Sequence, residues 1–138
     1  MNADDIRILD VLPHRYPFIM IDKVTGFENS KWARGYKNVT WNDWFVSEAN
    51  PFMPHMMVVE ALAQLGGFAT MDETGISFLS SLNQVEMHEW AQPGDRLDLY
   101  FEVTKRKRGF LLGKGLATVG DRIIVKAEEI VSYTPKQV

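Results

Sequence analysis

Cysteine is absent from this chain of 138 residues, which removes disulfides, thiolate nucleophiles and cysteine-based metal sites at one stroke. Long hydrophobic runs are lacking too. The most apolar stretch, 53–71, is interrupted by Glu60, Gln64 and Gly66-Gly67, whereas a membrane span needs about 20 mostly apolar residues. Positive charge is not in excess: the formal net charge is -3, which argues against nucleic acid as the main partner. No metal-ligand spacing, phosphate-cradling glycine loop or Ser-His-Asp set is visible, so neither a metal nor a cofactor is expected. Repeats, low-complexity segments and linkers are missing as well. The opening MNADDIRILDVLP carries acids where a signal peptide would carry positive charge ahead of an apolar run, and a cytoplasmic location is the expectation.

What is there is an ordinary globular composition, 46% hydrophobic and 24% charged. The length suits a single domain over 1–138. Its organising element is a central helix expected over 53–72, beginning MPHMMVVEALAQ. This stretch is apolar on nearly every side, as a helix buried all round reads. Pro54 is expected as its first helical residue, where the missing N–H costs nothing. Glu60 stands among Met57, Val58, Val59, Ala61 and Leu62. A glutamate is rarely buried without a partner, so this one is either paired, with Gln64 or a backbone group, or chemically employed.

An N-terminal helix and the loop after it are expected over 1–17. Asn2 to Leu12 forms the helix, with acids in its first turn, an apolar stripe of Ile6, Leu9 and Val11-Leu12, and Pro13 as its stop. Strands are expected over 18–27 and 31–41, joined by a turn at Asn29-Ser30, with a loop over 42–52 leading into the central helix. That helix should give out around Asp72 to Gly75. Beyond it the pattern is β. Strands are expected over 76–89, 95–104, 110–119 and 122–133, with turns at Gln92-Pro93-Gly94-Asp95, at 105–109 and at Gly120-Asp121. In the second of these strands Leu97, Leu99, Phe101 and Val103 alternate with Arg96, Asp98, Tyr100 and Glu102. Gly113, Gly115 and Ala117 leave one face of the third open to close packing. Antiparallel strands and one thoroughly apolar helix make an α+β fold of the hot-dog kind, a curved sheet wrapped around a central helix.

The string LPHRYPF (12–18), continuing to Asp22 and Val24, resembles the N-terminal signature of the FabZ-type 3-hydroxyacyl-[acyl-carrier-protein] dehydratases. KNVT (37–40), MPHMMVVEALAQ (53–64), PGDRL (93–97) and the hairpins of 106–129 follow in the family's order. The resemblance implies a hot-dog homodimer, or an oligomer of dimers, acting in fatty-acid or related lipid synthesis. The implied reaction removes water from a (3R)-3-hydroxyacyl thioester on acyl carrier protein. A loop histidine takes the α-proton and a helix carboxylate of the partner subunit handles the hydroxyl. An amide at the helix start polarises the carbonyl, as a proton abstraction next to a thioester requires. Glu60 falls on the family's carboxylate and Gln64 on the glutamine that follows it. Phe52, Met53, Pro54 and Met56 are the candidates for holding acyl substrate; with Met57, Met71, Trp44 and Phe45 they read either as the lining of an acyl tunnel or, for most of them, as plain core.

This chain departs from the pattern at the loop. Where the family carries Gly-His-Phe-Pro-Gly, the segment 42–52 reads NDWFVSEANPF, shorter by a few residues and without histidine. His55 replaces the glycine after Met53-Pro54. It is the candidate substitute base, although five residues separate it from Glu60, about 140° round a helix. Glu48 is a weaker candidate, His14 reads as structural, and His88 as a solvated or capping side chain. Lys105 to Arg108 reads as a solvated turn or as a landing place for an acidic carrier protein. Three readings follow: a dehydratase-like enzyme with a non-standard base, a silent acyl-binding or partner subunit, and a thioesterase.

Overall fold

Alternating burial along the C-terminal half shows how the sheet is made. Leu97, Leu99 and Phe101 are buried while Arg96 and Glu102 are exposed, so the strand presents one apolar face to the core. The computed structural model describes residues 2–5, 7–71 and 77–135. It contains strands β1 (Lys23–Glu28), β2 (Trp32–Asn38), β3 (Phe78–Met87), β4 (Arg96–Lys107), β5 (Phe110–Val119) and β6 (Arg122–Tyr133). They form one antiparallel sheet in the order β1-β2-β4-β5-β6-β3. Register shifts in four of the five pairings mark the bulges that let so long a sheet bend. The concave face holds helix α2 (His55–Gly66), extended by a 3-10 turn at Gly67–Ala69. This is the α+β hot-dog arrangement.

Small residues on β5 make the close approach of helix and sheet possible. A Cβ at Gly115 would lie 3.0 Å from the Leu62 side chain, and one at Gly113 would run into the Phe101 ring and the Glu102 carbonyl. Val58, Val59, Ala61, Leu62 and Leu65 of the helix are fully buried against Phe101, Ile124 and Ile130. The turns follow their residues. Asp95 N–H donates to Gln92 O across Pro93-Gly94, with Gly94 at φ 98°, as a type II turn requires. Gly120 takes φ 61° between β5 and β6.

Several expectations change. The N-terminal helix is a 3-10 turn at Ala3–Asp5 and one helical turn, α1 (Ile8–Val11), because Arg7 between them is extended. Ile6 lies outside the described residues, as do 72–76, where the central helix was expected to end and the next strand to begin. Pro54 caps the helix with ψ 138° instead of opening it. The first strand starts only at Lys23, since Phe18 and Met20 spend their backbone groups elsewhere. β4 runs on to Lys107, so the expected five-residue turn shrinks to Arg108-Gly109, both at positive φ. The helix is not covered on every side by its own chain: Met56 is exposed and Met57, Glu60, Ala63 and Gly67 are only half-buried.

Gly113→Ala is expected to lose about 1–3 kcal/mol of stability by overpacking against Phe101. Urea unfolding measures it, with the exposed neighbour Lys114→Ala changing stability by less than about 0.5 kcal/mol.

Candidate active site

The half-open stripe of α2 carries the polar groups. Glu60 and Gln64 lie one turn apart and therefore on one face. Gln64 is buried, and its amide is fully engaged. Its Nε2 donates to Phe18 O (2.8 Å) and to Glu60 Oε1 (3.1 Å), while its Oε1 accepts from Met20 N (2.9 Å). The segment after Pro17 is thus bound to the helix, and the glutamate carboxylate is held by its neighbour. The Glu60 side chain is 34% accessible, so it is open to a substrate instead of sealed in the core.

The same carboxylate oxygen lies 3.6 Å from His14 Nε2. Arg15 fixes the backbone around that histidine by donating to the carbonyls of Leu9, Leu12 and His14 itself. His14 Nδ1 is buried and makes no hydrogen bond among the described residues. Nε2 is thus the ring nitrogen that faces Glu60, at a separation longer than a direct hydrogen bond. His14, read from the sequence as structural, is therefore a member of the cluster. Its signal lay in the LPHRYPF string, but nothing in the linear sequence linked that string to Glu60. A groove of about 500 Å³ runs from His14 and Gln64 past Gly67 and Leu111 to Met71 and Thr134.

The other candidates lie elsewhere. His55 stacks on Trp90 with ring centroids 3.9 Å apart, and its Nε2 meets Glu89 O at 2.9 Å. A carbonyl only accepts, so Nε2 bears the hydrogen there. Phe52 closes on the other side of the cluster, 5.2 Å from Trp90. Met53 is wholly in the core and donates its N–H to Ala91 O. Pro54 is half-buried and Met56 stands exposed at the mouth of the stripe. No carbonyl accepts from the His55 or Met56 amide among the described residues, which leaves both at the positive end of the helix. Glu48 is exposed in the loop, and His88 is exposed with Nε2 3.4 Å from Glu86. No group of three His, Asp or Glu among the described residues is placed to hold a metal.

Comparison with known proteins gives the family. Residues 12–128 match the model of the FabA-like domain. The chain is 48% identical over 118 residues to the uncharacterized protein YcsD of Bacillus subtilis (strain 168), spanning 85% of this chain and 91% of that one. It is 36% identical over 141 residues to the 3-hydroxyacyl-[acyl-carrier-protein] dehydratase FabZ of Bacillus licheniformis, spanning 97% and 98%. The FabZ of Clostridium botulinum (strain Loch Maree / Type A3) is 38% identical over 129 residues, 88% and 90% of the two chains. Among solved structures, the dehydratase heterocomplex ApeI:P from Xenorhabdus doucetiae superposes with a TM-score of 0.85 at 16% identity, over 96% of this chain and 93% of that one. At that identity the likeness is one of fold.

Gln64→Leu leaves Met20 N–H and Phe18 O without their partner, and is expected to cost about 1–3 kcal/mol in chemical denaturation. His88→Ala is expected to change stability by less than about 0.5 kcal/mol.

Proposed function

The chain belongs to the family of FabA-like domains, with FabZ dehydratases among its relatives, and from that premise we propose that it dehydrates (3R)-3-hydroxyacyl thioesters in the cytoplasm, with Glu60 as the reactive carboxyl group. The observation that carries this reading is the Glu60 carboxyl itself: helical, a third exposed, held by Gln64 and faced by His14 at 3.6 Å. Dehydration needs one group to take the α-proton and another to give a proton to the departing hydroxyl. In this reading His14 takes the α-proton and Glu60 gives a proton to the departing hydroxyl. The Cα–H and Cβ–O bonds break, the Cα=Cβ bond forms and water leaves. The imidazolium and carboxylate then exchange a proton, which restores the starting pair. The unpaired amides of His55 and Met56 suit the thioester oxygen, where negative charge develops.

The His55 side chain, already committed to Trp90 and Glu89, fits a wall of the acyl site better than a base. Phe52, Pro54 and Met56 belong to that wall in the proposal, and Met53 backs it from the core. Two further parts complete the reading. β3 is an edge strand with Phe78, Leu79 and Met87 exposed, which suits pairing with a second copy. The basic stretch Lys105 to Arg108, the end of β4 and the start of the turn after it, borders a cavity of about 440 Å³ with Ser30 and suits an acidic carrier protein.

A second reading has its own support. The loop of 42–52 carries no histidine, and the ApeI:P structure is described as a dehydratase heterocomplex. On that reading the chain is a subunit that pairs with an active homologue.

Turnover of (3R)-3-hydroxyacyl carrier-protein substrates by purified protein separates the two. Glu60→Gln is expected to abolish water loss, His14→Asn to slow it by about 10²–10⁴, and His55→Ala to alter KM more than kcat. Unaltered binding with no water lost by the wild type would favour the subunit reading, and release of free thiol would favour hydrolysis.

A further inference from the structure

The loop of 42–52 has a well-defined anchor. Lys37, at the end of β2, is 6% exposed, and its Nζ lies 2.9 Å from Asp43 Oδ1, 3.7 Å from Asp22 Oδ2 and 3.0 Å from Asn38 O. A buried ammonium this well matched holds its partners firmly, since removing one side strands the other. Asp43 uses its second oxygen to accept from Thr40 N, and its backbone N–H and C=O bond Thr40 and Val46. Residues 40–46 therefore form a turn locked to the sheet.

Trp44 projects from that turn. It is 49% exposed, and the one polar atom of its ring is hydrogen-bonded to the N-terminal segment. Nε1 lies 2.8 Å from Pro17 O. The next carbonyl along the chain, Phe18 O, is the one that accepts from Gln64, and Gln64 in turn holds Glu60. An anchored turn, a single indole hydrogen bond and two adjacent carbonyls thus connect the sheet to the carboxyl group.

We propose that Trp44 is a positioning residue for Glu60, acting through Pro17, Phe18 and Gln64. The claim rests on the reading of Glu60 as the reactive group. The loop of 42–52 braces the segment that orients the Glu60 carboxylate. In the proposal Trp44 acts through these residues and not by contact with the reacting atoms. Its contribution is the angle at which Glu60 is presented, to which rates are steeply sensitive.

The test pairs Trp44→Phe, which keeps a ring and deletes the donor, with Phe45→Leu, which disturbs the adjoining ring packing and spares the hydrogen bond. Two quantities are read: steady-state dehydration, and the side-chain amide NMR resonances of Gln64 in protein without substrate. The expected result is a fall in kcat of roughly tenfold for Trp44→Phe with KM nearly constant, together with displaced Gln64 resonances. Phe45→Leu is expected to alter neither. Unchanged Gln64 resonances and kcat in Trp44→Phe overturn the proposal, as do equal effects of the two variants. Should the wild type show no turnover, the reading of Glu60 fails, and the Gln64 resonances alone then decide whether Trp44 braces the segment.

Discussion

One buried amide holds the site in register. Gln64 makes three hydrogen bonds, to Phe18 O, to Glu60 Oε1 and from Met20 N, and together they use both of its polar atoms. Buried polar groups are costly unless matched, so the backbone of 18–20 cannot drift without leaving Gln64 unsatisfied. That segment has no strand partners of its own. Its position comes from the helix, and the helix carboxyl receives its orientation in return. His14 is then carried to Glu60 by a loop whose far end is already fixed. A single side chain thereby couples the central helix, the N-terminal segment and the candidate chemistry.

Sheet and turns were the most legible parts of the sequence because their signals are local. Period-two alternation in 96–103 placed Leu97, Leu99 and Phe101 on the core face, and Pro93-Gly94 and Gly120 marked turns whose φ values only glycine takes easily. The β4–β5 connection misled, since Lys105 to Arg108 looks like a solvated loop. In the fold the first three of these residues continue β4, and only Arg108-Gly109 turn the chain. The helix misled differently. Met56, Met57 and Ala63 are apolar, yet their own chain leaves them partly open. Hydrophobicity records that a face avoids water, not whether the chain itself or a second subunit covers it.

The candidate site was half legible. Glu60 and Gln64 stood out as polar residues in an apolar helix, with a spacing that puts them together. His14 did not, because tertiary contacts between a loop and a helix leave no periodic trace. His55 attracted notice as the nearest histidine in sequence, but Trp90 and Glu89 hold its ring. The histidine that faces the carboxyl group at 3.6 Å is His14, far from Glu60 along the chain. The departures at the loop and the helix start nevertheless form one pattern. The loop closes against the N-terminal segment through Trp44, and aromatics wall the helix start.

The central claim is that Glu60 exchanges protons with an acyl thioester, and the reverse reaction tests it without a carrier protein. A trans-2-enoyl pantetheine thioester would be incubated in D2O with the wild type and with Glu60→Gln, and the products read by mass spectrometry. The account predicts that the wild type adds water across the double bond and fixes one deuterium on the α-carbon, while the variant returns the enoyl thioester unchanged. Hydration that persists in Glu60→Gln, or a wild type that binds the thioester and fixes no deuterium, would contradict it.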